Sequence, residues 1–311
     1  MKKRIFALLL FVPFVSTVLT GCWSHKELND LAIVLAIAID QLENDDYLLT
    51  VQVVNPSNVA GATQGGGGGG VPFTIVQASS DSLGEANLKL TQKVSRRIYY
   101  GHTNLVIVGE TVARNDMSEI LDVLERSSEF RTNARMLIAH GGTAADILKV
   151  LTPIDKLNAS QLIRMLLYSG REWGHSLDID VWEVLQKIHA PGSNPLITGV
   201  KMVGNVDVGK RQENIQTSEP ETKLELDGLA MFQSGKLIGW IPRNAARGVL
   251  WILGEVKNTQ LTVAWKGTPE AIGLYVHKTK TRVTPHLRNG KPSISIHIQL
   301  MGDINETLVP V

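Results

Sequence analysis

The sequence predicts an α+β fold in which mixed sheets and helices are divided among three domains. The chain has 311 residues, of which 43% are hydrophobic and 20% charged, so it can form packed cores and does not have a disordered composition. Segments with the periodicity of strands alternate with segments that have the periodicity of helices. At about 150 residues per domain, the length favours two domains and also fits three small ones.

The N-terminus has the three parts of a secretory leader. Basic residues at positions 2–4 precede an apolar stretch, residues 5–15, which is shorter than the about 20 residues that a membrane-spanning helix needs. The following Leu19-Thr20-Gly21-Cys22 resembles a bacterial lipobox, in which the cysteine sulfur receives a diacylglyceryl group and the peptide is cut before it. We therefore expect a signal peptide over residues 1–21, cleavage between Gly21 and Cys22, and lipidation of Cys22. The alternative is an ordinary secretory signal that contains a chance cysteine.

Composition excludes several classes of protein. Removal of the leader takes three of the 31 basic residues, which leaves 28 against 30 acidic residues, a net charge of −2. This balance provides no cationic surface for phosphates, so no nucleic-acid partner is expected. Because Cys22 is the only cysteine, an intramolecular disulfide and a cysteine-based zinc cluster are both excluded. We expect the mature chain to lie on the outer face of the cytoplasmic membrane, held by its diacylglyceryl anchor.

Residues 22–195 are expected to form the first α+β domain, built on one sheet. Two β-rich segments, residues 31–39 and 47–54, flank a short polar stretch and predict a hairpin. Residues 55–70 follow as a loop that ends in six glycines. We interpret the glycines as a flexible connection rather than a phosphate-binding loop, because the next segment, residues 71–78, has the pattern of a strand and not of a helix.

Start signals predict several helices in this domain. Ser82 and Glu85 have the spacing of a capping box, Asp116 is expected to cap a second helix, and Thr143 with Asp146 opens a third. The remaining elements are predicted from periodicity: strands at residues 104–109 and 134–140, and helices at residues 157–168 and 179–189.

Residues 196–257 are expected to form a small second α+β domain, and residues 258–311 an incomplete third one. The second would contain a strand, a polar stretch at residues 207–223 that is either a loop or a disordered excursion, a hairpin and a helix that begins at Arg243. The third contains only strand patterns, at residues 261–265, 272–283 and 294–301. Three strands without a covering helix are hard to stabilise, because their second face has nothing to pack on. The third domain is therefore interpreted as truncated.

Patterns typical of catalysis or metal binding are not found in the sequence. Residues 204–210 match most of a phosphate-binding loop, but Arg211 stands where Ser or Thr must hold magnesium. The eight histidines are scattered without ligand spacing. Asp178 and Asp180 could pair as carboxylates, although Asp178 is better explained as a helix N-cap. The sequence thus predicts neither an enzyme nor a bound cofactor or metal.

Several motifs, in collinear order, resemble those of one known family. They are Cys22-Trp23-Ser24-His25-Lys26-Glu27-Leu28-Asn29-Asp30, Tyr99-Tyr100-Gly101-His102, Leu124-Glu125-Arg126 with Glu129-Phe130-Arg131, Leu226-Asp227-Gly228-Leu229-Ala230-Met231-Phe232, and Leu237-Ile238-Gly239-Trp240. In this combination the chain is similar to the Ger(x)C spore germination lipoproteins, the C subunits of nutrient germinant receptors. The similarity extends from Cys22 to the end of the chain.

The resemblance implies a three-domain α+β lipoprotein of the spore inner membrane, which works beside a multi-pass A-type subunit and a transporter-like B-type subunit. It implies no catalytic activity and no cofactor. Members of the family usually continue beyond the point that corresponds to Val311, with a long helix and further strands. The third domain is therefore expected to be incomplete in this chain.

The expected function is that of a noncatalytic receptor subunit that acts in germination through assembly with membrane subunits. The main alternative is a solute-binding lipoprotein of a transporter, which should have two similar α/β lobes around a cleft; a lipoprotein hydrolase is a third. The candidate partner contact is formed by Tyr99, Tyr100 and His102. Adjacent tyrosines point in different directions, so one is expected to pack inward and the other to be presented with His102, while Gly101 permits a sharp turn.

Overall fold

The computed structural model describes residues 28–60 and 70–307, together with Arg4. Within these residues, the α+β fold class is confirmed: strands and helices alternate and the strands form two sheets. The strands are β1 (Leu31–Gln41), β2 (Tyr47–Val54), β3 (Phe73–Ser80), β4 (Arg97–Tyr99), β5 (Leu105–Val108), β6 (Arg135–Ala139), β7 (Leu196–Val203), β8 (Lys223–Gln233), β9 (Lys236–Ile241), β10 (Thr259–Trp265), β11 (Thr268–Arg288) and β12 (Lys291–Thr307).

Helices connect most of these strands. They are α1 (Pro56–Ala60), α2 (Leu83–Thr91), α3 (Glu110–Asn115), α4 (Ser118–Arg126), α5 (Ala144–Lys149), α6 (Asn158–Tyr168), α7 (Val181–His189), α8 (Val206–Gly209) and α9 (Arg243–Leu253), with a π-helical turn at Ser169–Trp173 and 3₁₀ turns at Leu28–Asp30 and Gln212–Ile215. Among the described residues, no helix combines the length and apolar character needed to cross a membrane.

The larger sheet has nine strands in the order β3-β2-β1-β5-β6-β7-β8-β9, with β4 also paired to β1. The predicted hairpin is confirmed, since β1 and β2 are antiparallel from Gln41 opposite Tyr47 to Val34 opposite Val53. Strands β1, β5, β6 and β7 are parallel neighbours. All four residues of β5 are buried, as is typical of a parallel strand that is covered on both faces.

Two hydrophobic cores lie on opposite faces of this sheet. On one face, α2, α4, α7 and α9 pack through buried side chains. On the other face, α5 and α6 pack over the small residues Ala36 and Ala38 of β1. The extra residue Leu35 causes a register shift between Val34 and Ala36. This bulge places Val34 in the same core as Ile37, although strict alternation would put them on opposite faces.

The predicted helix starts at Ser82 and Thr143 are confirmed. Ser82 Oγ accepts a hydrogen bond from the Glu85 amide at 3.3 Å, and Thr143 Oγ1 accepts one from the Asp146 amide at 3.1 Å. Asp116 is not the N-cap of α4, which is Met117; the Asp116 carboxylate accepts from the Ser118 amide at 2.8 Å from one residue further back. Helix α3, which lies directly before it, was not predicted, because its six residues are too few for periodicity to be recognised.

The expected N-cap role of Asp178 is wrong. Asp180 caps α7 instead, since its Oδ1 accepts from the Glu183 amide at 2.9 Å. Asp178 forms a bidentate ion pair with Arg135: Arg135 Nε donates to Asp178 Oδ1 at 2.6 Å, and a second guanidinium nitrogen donates to Oδ2 at 3.2 Å. Arg135 lies 43 residues away in the sequence, so local spacing gave no sign of this pair.

The expected boundary between the first and second domains, after residue 195, falls within one continuous sheet. Strand β7 of the expected second domain is parallel to β6 of the first, with Ile138 opposite Gly199 and Ala139 opposite Val200. Phe232 and Leu237 lie in the same core as the first-domain strands. Residues 196–257 therefore do not form a separate sheet, because the pairing partner of a strand is set by tertiary contacts that hydrophobic periodicity does not report.

The polar excursion at residues 207–223 is more ordered than expected. It contains α8 and a 3₁₀ turn, and the amide of Asn214 is buried within it. The Asn214 Nδ2 donates to the carbonyls of Leu151 and Thr222, each at 3.0 Å, and its Oδ1 accepts from the Thr222 amide at 3.0 Å. This buried side-chain amide, together with the Leu151 amide that donates to the Gly209 carbonyl at 2.8 Å, joins the segment to the main fold.

The second sheet consists of β10, β11 and β12. The first part of β11 is packed against the main fold through buried Ala271, Ile272 and Val276. Thr281 Oγ1 also donates to the carbonyl of Trp251 in α9 at 2.6 Å. Nearly all of β12 is exposed, including alternate apolar residues such as Ile294 and Ile296. The expected strands are therefore present, and α9 covers only their beginning.

The carboxylate of Asp40 joins the end of β1 to the start of α5. It accepts hydrogen bonds from the amides of Ala144 and Ala145, both at 2.8 Å, and so satisfies two amides that have no partner within their own helix. Asp40 is buried, and this burial raises the pKa of its carboxyl group. A Cβ at Gly109 would overlap this carboxylate, so the glycine makes room for it.

We expect Asp40→Asn to lower the free energy of unfolding by about 1–3 kcal/mol, because the amide group retains only one of the two acceptor oxygens. Glu43→Gln, at an exposed position in the β1–β2 turn, is the control and should change stability by less than about 0.5 kcal/mol. Denaturant unfolding of the full chain measures both. Equal effects of the two substitutions would contradict the assigned role of Asp40.

Candidate functional site

The stretch from Tyr99 to His102 lies where the chain passes from β4 to β5. Tyr99 ends β4 and is opposite Ile33 in the parallel pairing with β1. Thr103 then closes a turn, since its amide donates to the Tyr100 carbonyl at 2.9 Å. Its hydroxyl donates to the Val34 carbonyl at 3.3 Å. The strand pairing and these two hydrogen bonds hold the stretch against the N-terminal half of β1.

The two tyrosines leave the backbone in different directions. Tyr100 packs against the main core, and its hydroxyl donates to Asn87 Oδ1 in α2 at 2.6 Å. Burial and the nearby carboxylate of Glu129 raise the pKa of Tyr100. Tyr99 is half-buried and meets the exposed His102 edge to face, with 5.7 Å between the ring centres. Tyr99 and His102 thus form the part of the motif that a partner can reach.

Glycine was expected at position 101 because of a sharp turn, but the structure gives a different reason for it. Its φ is not in the left-handed region, so the turn does not require glycine. A Cβ at residue 101 would instead overlap the ring of Tyr99. The missing side chain therefore allows the Tyr99 ring to fold back over the backbone.

A cavity of ≈ 140 Å³ lies beside Tyr100, between α2 and α4. It extends from exposed positions on the two helices to the large side chains of β1 and β2 in the sheet. Its lining consists of Ile37, Ile39, Leu49, Leu83, Gly84, Asn87, Tyr100, Val123, Leu124, Ser127 and Phe130.

A second cluster of polar and aromatic residues lies at the carboxyl ends of the parallel strands. His140, which follows β6, stacks on Trp240 with 3.9 Å between the ring centres. Its Nδ1 lies 3.0 Å from Asp227 Oδ2, and Lys201 Nζ lies 3.5 Å from the same oxygen. Trp240 Nε1 donates to Glu110 Oε1 at 3.3 Å. Local spacing in the sequence gives no sign of this cluster, because His140 and Asp227 are 87 residues apart.

The side chains of this cluster bind one another and link separate strands of the sheet. Burial acts to raise the pKa of Glu110, but hydrogen bonds from Arg114 and Trp240 outweigh it and hold that pKa below its usual value. A Cβ at Gly199 would overlap the ring of Trp240 and the carbonyl of Asp227. The charged and ring groups are thus paired with one another, and they join β6 to the β8–β9 hairpin.

The other expected site residues lie outside the described part of the chain. They are Gly21 and Cys22; the rest of the leader except Arg4 also lies outside it, as do residues 61–69 of the loop that was interpreted as a flexible connection. Within residues 28–60 and 70–307, no group of three or more His, Cys, Asp or Glu side chains is placed to hold a metal ion.

Comparison with known proteins identifies relatives over almost the whole chain. Residues 24–202 match the family described as "Spore germination protein N-terminal domain". Residues 227–310 match "Spore germination B3/ GerAC like, C-terminal". The chain is 36% identical to "Spore germination protein KC" of Bacillus subtilis (strain 168), over 99% of this chain and 76% of that protein.

Two further similarities are found. "Putative spore germination protein YfkR" of Bacillus subtilis (strain 168) is 27% identical over 98% of this chain and 76% of its own length. Among solved structures, "Crystal Structure of the GerBC protein" is similar at a TM-score of 0.44 and 20% identity, covering 88% of this chain and 73% of that one.

Substitution of the two tyrosines should separate their roles. We expect Tyr100→Ala to lower the free energy of unfolding by about 2–4 kcal/mol, because it removes a ring that packs on the core. Tyr99→Ala should cost about 1 kcal/mol or less, since its ring lies at the surface against His102. Denaturant unfolding of the full chain measures both, and an equal loss in the two variants would refute this division.

Proposed function

This chain belongs to the Ger(x)C family of spore germination proteins, and on that basis we propose that it is a noncatalytic lipoprotein subunit of a spore nutrient germinant receptor. The observation that carries the proposal is the pair of family matches, residues 24–202 and 227–310, in one continuous chain. The 36% identity to "Spore germination protein KC" supports the same role in germination.

The proposed mechanism begins with the lipid on Cys22. A diacylglyceryl group supplies two acyl chains, which hold a protein stably at a membrane where one chain would not. Cys22 precedes the first residue of β1, Leu31, by nine residues, and a nine-residue segment spans at most about 30 Å when fully extended. Because β1 is an inner strand of the main sheet, the folded body stays close to the membrane surface.

Confinement to the surface favours assembly. A tether of this length raises the effective concentration of the folded body near other proteins of the same membrane. We propose that those partners are a multi-pass A-type subunit and a transporter-like B-type subunit of the receptor, in the inner membrane of the spore. The contact would include Tyr99 and His102, the aromatic pair at the surface of the β4–β5 turn.

A noncatalytic role is supported by the chemistry of the clusters described above. The carboxylates of Asp40, Glu110 and Asp227 each accept hydrogen bonds or lie in ion pairs that join one element of the fold to another. Each of these groups therefore has a structural role that accounts for its position.

Lipidation can be tested directly with Cys22→Ala. The variant should incorporate none of a palmitate analogue during metabolic labelling, because the chain has no second thiol. Ser24→Ala, which leaves the lipobox intact, is the control and should be labelled like the unaltered chain. Continued labelling of Cys22→Ala would refute the lipid assignment.

The role in germination requires a separate experiment. Deletion of the gene should abolish or slow germination triggered by at least one nutrient, and expression of the unaltered chain should restore it. Growth of the deletion strain on single solutes should be normal. Loss of solute uptake with normal germination would instead support a solute-binding lipoprotein of a transporter and contradict the proposal.

A further inference from the structure

We propose that the cavity between α2 and α4 is a binding site for a small, neutral and mainly apolar molecule of about the size of benzene. The proposal concerns a ligand of this chain alone, so it depends neither on lipidation nor on assembly with membrane subunits.

The size of the cavity sets the size of the ligand. Its volume of ≈ 140 Å³ is close to that of an apolar cavity of about 150 Å³ that stays dry and takes up benzene. Many sites for larger cofactors and substrates have about 300–1,000 Å³. The space therefore suits a molecule with about six to eight non-hydrogen atoms.

The lining sets the chemistry of the ligand. None of the lining residues carries a charge, and the apolar lining includes Ile37, Ile39 and Leu49 from the sheet together with Phe130. A carboxylate or ammonium placed there would lose its hydration without gaining a partner of opposite charge. Amino acids in their zwitterionic form and phosphorylated compounds are therefore excluded as ligands of this cavity.

Two polar side chains in the lining allow one hydrogen bond to the ligand. Asn87 accepts the Tyr100 hydroxyl through Oδ1, and its amide nitrogen is a further donor. Ser127 Oγ accepts a hydrogen bond from the Phe130 amide at 3.4 Å, which leaves its hydroxyl proton available to an acceptor. A phenol or a small alcohol should bind as well as a hydrocarbon does.

The mouth of the cavity lies between Gly84 of α2 and Val123 of α4. Val123 is 39% exposed, and Gly84 is exposed as well. Glycine is a weak helix former, and no atom lies within 4 Å of a Cβ built at residue 84. Since the fold itself does not require glycine there, the missing side chain leaves the entrance open.

The test uses thermal unfolding of the full chain with small probes of matched shape. Benzene and phenol are the neutral probes, and benzoate and benzylammonium are the charged controls. At ten times its dissociation constant, a neutral probe should raise the unfolding midpoint by about 2 °C, because it binds the folded state alone. The charged probes should leave the midpoint unchanged.

A pair of matched variants locates the binding. Gly84→Leu places a side chain across the mouth and should abolish the shift given by benzene. Gly248→Leu is the control: Gly248 is also helical, in α9, has open space around its Cβ and lies outside the cavity, so the shift should remain. If Gly84→Leu fails to fold, Val123→Phe blocks the same mouth from the opposite side.

Three outcomes would overturn the proposal. The first is the absence of a shift with either neutral probe in the unaltered chain. The second is an equal shift in Gly84→Leu and Gly248→Leu, which would locate binding elsewhere. The third is that neutral probes fail to bind and Gly84→Leu no longer co-purifies with a membrane partner. This result would make the cavity a binding pocket for a side chain of that partner.

Discussion

The fold depends on the backbone pairing of β1, which is an inner strand that must be buried on both faces. It is antiparallel to β2 on one side and parallel to β4 and β5 on the other. Ile37 and Ile39 face one core and Ala36 and Ala38 face the other. A strand of this kind needs helices over both faces, and the two helical layers follow from that requirement.

The same strand brings together the regions for which we propose a function. At its amino end, the pairing with β4 fixes the Tyr99–His102 stretch, and the expected lipid attachment lies nine residues before the strand. At its carboxyl end, Asp40 caps α5 across the sheet. Between these ends, Ile37 and Ile39 line the cavity beside Tyr100. A change in the pairing of β1 would therefore disturb the position of the expected anchor, the surface aromatics and the cavity together.

Much of the molecule could be predicted from the sequence, because the relevant signals are local. The β1–β2 hairpin follows from two apolar runs with a short polar turn, and the starts of α2 and α5 follow from Ser82 and Thr143, whose oxygens cap amides three residues later. The opposite directions of Tyr99 and Tyr100 follow from their adjacency in an extended segment. Each of these features involves residues that are close in the chain.

What only the tertiary structure decided involves residues that are far apart in the chain. The parallel pairing of β6 with β7 joins segments that hydrophobic periodicity had assigned to two domains. Asp178 pairs with Arg135, and His140 meets Asp227 and Trp240, across 43 residues or more. Even Gly101 is explained by the position of a neighbouring ring and not by its own φ. The sequence by itself determined most of the strands and the caps of α2 and α5, since propensity and spacing act locally, whereas strand pairing and side-chain contacts depend on how the whole chain packs.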